Sequence, residues 1–210
     1  MTLRSSRRLA AAIAVALAAA APLDAQARLT AAVPASSSAA SGSTARAHDV
    51  DKAHSEINFV ATSRLLDAHG HFGAWDADVQ IDPEALERSS VRLTIDAASI
   101  NTRNDRRDGH LKGADFFDVA NHATITFVSR SVAKSSPTQG TITGDLTVRG
   151  VTRSIEVPVS LVFYQNGRGR FRGAFTINRK DYGVSYDSKL NPIGDQVEVQ
   201  FNMSVAEKKA

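Results

Sequence analysis

The sequence predicts an all-β, antiparallel fold, and three observations predict it. Apolar and polar residues alternate with a period of two through most of the chain after residue 50; turn-forming pairs separate the alternating runs; and only one stretch carries helix-start signals. Each run presents one apolar and one wet face, which is how antiparallel sheet reads, whereas parallel strands covered on both sides read as unbroken apolar runs.

The clearest run is Val197, Val199, Phe201, Met203 and Val205, with Glu198, Gln200, Asn202 and Ser204 between them. Ile155, Val157, Val159, Leu161 and Phe163 repeat it against Ser154, Glu156, Pro158 and Ser160. Shorter versions lie at 57–59, 75–81, 91–95, 125–127, 142–148 and 171–177. Connections are signalled at Asp82-Pro83, Ser135-Ser136-Pro137, Arg149-Gly150, Asn166-Gly167 and Asn191-Pro192-Ile193-Gly194, and Asn166-Gly167 has the composition of a two-residue hairpin. Pro158 falls within a strand pattern, which predicts an edge or a bulge. From Asn101 the string Asn-Thr-Arg-Asn-Asp offers a capping residue with an acid three positions on and predicts a short helix to about Gly113, packed down by Leu111, Phe116 and Phe117. A single helical turn is expected at 83–86. About eight such strands must close into a barrel or stack as a sandwich, and periodicity alone does not separate the two.

Ahead of this domain, residues 1–27 read as a secretory signal: Arg4, Arg7 and Arg8 precede an apolar run from Leu9 to Ala21, and Ala25-Gln26-Ala27 places a cut before Arg28. That reading makes the protein periplasmic. Residues 28–48, rich in Ala, Ser, Thr and Gly, read as a flexible linker, 49–206 as one domain and 207–210 as a charged tail. The net charge of +3 owes much to the leader: without its three arginines and Asp24, 22 basic and 21 acidic residues remain. Such a balance excludes an electrostatic footprint for nucleic acid. The chain has no cysteine, which excludes zinc–thiolate sites, iron–sulfur clusters and thiol nucleophiles.

Several strings, in order, resemble a known family: His54-Ser55-Glu56-Ile57-Asn58-Phe59, Gly70-His71-Phe72, Ser89-Ser90-Val91, Ile95 to Thr102, Asp108-Gly109-His110-Leu111, Asp115-Phe116-Phe117-Asp118-Val119, Ala123 to Phe127, Gly144 to Thr152, Ile177-Asn178-Arg179 and Tyr182-Gly183-Val184. Together they resemble the YceI-like family of periplasmic, lipocalin-like, polyisoprenoid-binding proteins, over 49–205. The resemblance implies a lipocalin-like, extended, eight-stranded barrel with an apolar tunnel. It implies an isoprenoid or isoprenoid-quinone lipid as the bound partner, no other cofactor and no enzymatic reaction. It is compatible with transient contact at a membrane surface and with a homodimer. Two departures stand at the first hairpin: Thr62-Ser63-Arg64 replaces a histidine common in the family, and Leu65-Leu66-Asp67 replaces a small, glycine-containing link.

On that reading the tunnel is lined by Phe59, Phe72, Trp75, Ile95, Phe116, Phe117, Phe127, Leu146, Leu161, Phe163, Phe175 and Phe201; the competing reading is that these side chains fill the interior as a core. Arg103, Arg106, Arg107 and His110 are head-group candidates, although Asp105, Asp108 and Asp115 are interleaved with them and a solvated charged helix explains the same pattern. Asn178-Arg179 reads as a polar clamp between strand and loop. His69 and His71, two apart on a strand, share a face and support an alternative reading as a metal-dependent hydrolase; a structural envelope protein with a filled barrel is a third. No Gly-x-Ser-x-Gly elbow, phosphate-binding loop or His-Glu-x-x-His string is present.

Overall fold

The alternating runs become strands, and the one helix-start signal becomes the one α-helix among the described residues. The structure is a computed structural model and describes residues 44–209; the predicted leader and linker, as far as residue 43, lie outside the described residues. In chain order the strands are β1 Arg46–Val50, β2 Glu56–Ser63, β3 Ala68–Phe72, β4 Trp75–Ile81, β5 Ser90–Asp96, β6 Ile100–Asn101, β7 Thr124–Ser136, β8 Gln139–Val148, β9 Val151–Gln165, β10 Arg168–Asn178 and β11 Ile193–Glu207. Helix α1, Asp105–Lys112, lies between β6 and β7.

All pairings are antiparallel, and they close a ring of eight staves. Three staves are each made of two short strands in line. β1 and β2 both pair with β11, through Val50–Val205 and Glu56–Asn202. β4 pairs with β1 while β3 pairs with β2, and β5 pairs with β4 while β6 pairs with β3. The ring then runs β5–β7–β8–β9–β10–β11 and returns to β1. This is the closed eight-stranded antiparallel barrel with one helix, and closure leaves no long unpaired edge.

The three interruptions lie side by side in adjacent staves. Two are single 3-10 turns, Lys52–His54 and Ala97–Ser99, each capped by the aspartate before it: Asp51 accepts from Ala53 N, and Asp96 from Ala98 N. The third, Gly73-Ala74, is tied to its neighbour by Gly73 N donating to Ser99 O and Asp96 N donating to Ala74 O. The predicted hairpins form with the left-handed backbone that two-residue turns demand, at Asn166 (φ 52°) and Gly167 (φ 72°), and at Arg149 (φ 48°) and Gly150 (φ 73°). Ile57, Ile95, Ile125, Phe127, Leu146, Val148 and Val157 are buried inside, while Arg168, Arg170, Arg172, Glu198 and Gln200 face out. That polarity is the reverse of a lipid-facing transmembrane barrel.

Four sequence expectations are corrected in position. Strand β1 begins at Arg46, so the last residues of the predicted linker belong to the wall. His48 is 2% exposed, its Nδ1 donates to Arg46 O (2.8 Å), and a neutral ring then leaves Nε2 to accept from the Tyr164 hydroxyl (2.9 Å). Burial raises the Tyr164 hydroxyl above its ordinary range, which keeps it a donor. At the other end, Glu207 is the last residue of β11 and Lys208 N donates to Ala47 O, so the predicted tail starts inside the fold. Helix α1 is capped by Asn104, whose side chain accepts from Arg107 N, and not by a residue three before Asp105; a cap of this kind contributes about 1 kcal/mol. The predicted turn at 83–86 forms at Leu86–Arg88 as a 3-10 turn. Pro158 pairs with Thr141 of β8 on one side only, the β9–β10 ladder stopping at Ser160, so it stands at a local edge as expected. The bulge lies elsewhere, at Val162, where Leu161 pairs with Phe171 but Phe163 pairs with Arg170.

Asp82 locks the start of the barrel to its wall. Fully buried, it receives the Arg88 Nε (2.6 Å), the Thr44 hydroxyl, and the backbone N–H groups of Glu84 and Ala85 (both 3.0 Å). The Arg88 guanidinium, seconded by Thr44, holds its carboxyl well below the usual carboxylate range. A depressed folded-state pKa stabilises fully above the unfolded value, near 3.9, and the stabilisation fades as pH falls below it. In urea titrations the stability gap between wild type and Asp82→Asn is therefore expected to be full at neutral pH and to shrink below about pH 4. A gap that stays constant into the acid range contradicts this role.

Candidate ligand cavity

The barrel is hollow. A cavity of about 970 Å³ runs along its interior, at the upper end of the roughly 300–1,000 Å³ usual for small-molecule sites. At one end it is bounded by α1 and the 183–192 loop, through Arg106, His110, Tyr186 and Asn191; at the other it reaches the β7–β8 turn at Pro137-Thr138 and the β4–β5 connection at Leu86 and Ser89.

A glycine beneath each of three phenylalanine rings explains why the interior stays open. Gly70 pairs with Phe59, Gly173 pairs with Phe201, and Gly144 lies one strand over from Phe127. A Cβ at Gly70 would stand 2.3 Å from Phe59 Cζ, at Gly173 2.5 Å from Phe201 Cζ, and at Gly144 2.6 Å from Phe127 Cζ. Each ring thus lies flat on the bare backbone of the neighbouring strand and not across the lumen. This is the aromatic-over-glycine device of curved sheets, and it coats the wall with apolar carbon without filling the tube. Phe59, Phe72 and Phe117 form a contiguous aromatic run, with centroids 5.6 and 6.1 Å apart.

The α1 end of the cavity carries most of its basic side chains, Arg106, Arg107, His110 and Arg179, against Lys134 at the far end. Asp108, buried in the helix, accepts from Thr102 N (2.9 Å) and from the Thr102 hydroxyl. Arg107 Nε donates to that same hydroxyl oxygen (2.7 Å) and its Nη2 to Thr102 O (2.9 Å), so helix and β6 are stapled together. His110 sits edge-on to both Phe116 (5.0 Å) and Tyr186 (4.8 Å) and reaches Asp115 through Nε2 (3.1 Å). Arg179, 6% exposed, holds the loop that faces this cluster. Its guanidinium donates to the carbonyls of Val184 (2.7 Å), Tyr186 (2.8 Å), Gly194 (3.0 Å) and Ile193 (3.2 Å) and to Asp195 Oδ1 (3.3 Å). A planar, always-charged fork is the side chain suited to collecting so many acceptors. The predicted clamp is thus present, and its guanidinium also borders the cavity.

The structure brings most of the predicted tunnel residues together. Phe59, Phe72, Ile95, Phe116, Phe117, Phe127, Leu146, Leu161, Phe175 and Phe201 all line the cavity. Phe163 does not: the bulge at Val162 reverses its side, leaving it 49% exposed on the outer surface and turning Tyr164 to His48 instead. Trp75 packs against the core residues but does not border the cavity, and the Lys52 ammonium lies 5.4 Å from its ring. Among the head-group candidates, Arg106, Arg107 and His110 border the cavity, and Arg103 does not, its left-handed backbone (φ 60°) turning it outward. His69 and His71 share a face, as expected, but it is the outer one, alternating with inward Ala68 and Phe72. Among the described residues no group of three or more His, Asp or Glu stands close enough to hold a metal ion. Sequence reasoning missed Tyr186, Leu86 and Leu66 as wall residues, because they sit on connections where no periodicity marks an inner face.

The YceI-like domain family profile matches residues 48–205. A UPF0312 protein of Ectopseudomonas mendocina is 31% identical over 159 residues, covering 73% of this chain and 82% of that one. Among solved structures, Burkholderia cenocepacia BcnA superposes with a TM-score of 0.70 at 27% identity, covering 74% of this chain and 99% of that one. The Campylobacter jejuni YceI protein gives 0.65 at 26% identity, covering 70% and 88%. A polyisoprenoid binding domain from Saccharophagus degradans shares the fold, with a TM-score of 0.62 at 18% identity, covering 78% and 99%.

Gly70 offers a direct check on the open interior, because an added methyl there meets only the Phe59 ring and the Thr102 methyl, both side chains. Gly70→Ala is expected to push the ring into the lumen, keep the fold, and weaken an apolar cavity ligand roughly tenfold, about 1.4 kcal/mol, in an equilibrium binding titration. Unchanged affinity contradicts the placement of that ring.

Proposed function

The chain belongs to the YceI-like family, and from that premise we propose that it is a carrier which takes a long isoprenoid or isoprenoid-quinone chain into its barrel and releases it without bond chemistry. The observation that carries this reading is the open, apolar, elongated cavity, whose wall is coated with phenylalanine and whose basic side chains are concentrated at the α1 end. An isoprene unit has five carbons, so at about 0.8 kcal/mol per buried CH₂ each unit gains on the order of 4 kcal/mol gross, against the cost of ordering the chain. A tube of fixed width selects such a cargo by shape. The Saccharophagus domain, described as polyisoprenoid binding, supports an isoprenoid over other apolar ligands. A filled structural barrel is disfavoured by the volume left open, and a hydrolase at His69 and His71 by their outward position.

The reading places the cargo's polar end beside Arg106 and His110 and its tail along the barrel. It also places the protein in the periplasm, on the strength of the leader-like residues 1–27. Among the described residues Arg106 makes no ion pair, and it borders the cavity, so it can meet an anionic head group. Delipidated protein should take up both a long-chain quinone and an isoprenyl diphosphate. Arg106→Ala is expected to weaken the diphosphate about tenfold and the neutral quinone hardly at all, as loss of a charge-assisted contact requires. Failure of the wild-type protein to take up either lipid contradicts the proposal.

A further inference from the structure

Among the described residues five large apolar side chains are exposed, and three of them stand together at one end of the barrel. Leu65 and Leu66, on the β2–β3 turn, are 73% and 70% exposed, and Leu190, on the 183–192 loop, is 88% exposed. The two segments are fastened to each other. Leu65 N donates to Asn191 Oδ1 (3.0 Å), Arg64 N to Pro192 O (3.0 Å), and Asn191 Nδ2 to Ser63 Oγ (3.1 Å). The leucines are therefore held as one patch. Leu66 also borders the cavity, as do Asn191 and Ser63 beside it, so the patch continues into the apolar lining at the end where Arg179 anchors the loop.

We infer that this leucine patch docks the barrel mouth onto the surface of a lipid bilayer, so that an apolar chain passes between membrane and cavity without crossing water. Three side chains fall far short of the roughly 800 Å² per partner that a stable protein interface buries, whereas shallow insertion of a few leucines gives the weak, reversible attachment a carrier needs. The charges on the two segments balance, Arg64 and Lys189 against Asp67 and Asp187, and Arg106 at the same mouth adds one positive charge that favours an anionic bilayer; among the described residues Arg64, Lys189 and Arg106 make no ion pair. Of the acids on these two segments, Asp67 accepts from Ser63 N, and Asp187 carries no ion pair. Docking rests on the patch itself; the passage of cargo rests on the carrier reading above.

The test uses phosphatidylcholine vesicles with and without phosphatidylglycerol, and the double variant Leu65→Ser/Leu190→Ser, neither position of which borders the cavity. Wild-type protein should co-sediment with vesicles, more so with phosphatidylglycerol present, and the double variant should bind about tenfold more weakly. Affinity for a water-soluble short-chain quinone should be unchanged, while transfer of a long-chain quinone between vesicles should slow by a similar factor. Wild-type protein that ignores vesicles, or a variant that binds them equally well, overturns the proposal. So does light scattering in which wild type is a dimer and the variant a monomer, since the patch then joins two copies of this chain. If quinone uptake fails but vesicle binding still depends on the two leucines, the carrier reading falls and docking stands.

Discussion

The pairing of β1 with β11 turns a curled sheet into a tube, and the rest of the molecule depends on that closure. Once every stave has a neighbour on both sides, backbone polar groups are consumed in the wall and alternation forces every second side chain inward. The inward set is apolar, so the interior must either collapse or be coated. Glycines at 70, 144 and 173 let phenylalanine rings lie back against the wall, and the interior is coated. The seam itself is short, and its security comes from buried polar residues: His48 tied to Tyr164, and Asp82 gathering Arg88, Thr44 and two backbone amides.

The ends of the tube are treated differently. At the far end the lining includes uncharged polar residues such as Gln80, Ser89, Ser136 and Gln139, with Lys134 as its cation. At the α1 end, two arginines do structural duty, Arg107 by holding Thr102 and Arg179 by collecting two loop carbonyls and two from the start of β11. Stripping Arg179 would leave those acceptors without their donor and free the loop that carries Tyr186 and Leu190. Arg106 and His110 border the cavity as well, and on the carrier reading head-group contact falls to them while Arg107 and Arg179 hold the structure.

Much of this was legible in the residues. Val197 to Val205 announces a strand by strict alternation, and Asn166-Gly167 announces its turn, because both depend on local geometry. Barrel rather than sandwich came from the family resemblance, since periodicity left both open, and inward strand parity accounts for eight of the twelve tunnel residues, Phe116 and Phe117 lying on the segment after α1. Parity fails where a strand gains a residue. The bulge at Val162 is invisible in an apolar run, and it moved Phe163 outside. Composition misled at His48, where an Ala- and Ser-rich stretch already holds a strand, because long-range pairing outweighs a low apolar content. Tyr186 and Leu66 lie on connections, where only the fold decides which way a side chain faces. Whether the rings would fill or coat the barrel could not be read either, since it turns on which glycine lies opposite which phenylalanine.

The central claim, that the open cavity holds a lipid chain, is tested most directly by native mass spectrometry of the protein recovered under mild conditions from its native cells, wild type beside Leu146→Trp. The account predicts a wild-type adduct with the mass of an isoprenoid-type lipid, and its loss in the variant, where a bulky ring occupies the lumen. A wild-type protein that carries no adduct and gains none when incubated with long-chain quinone would contradict it.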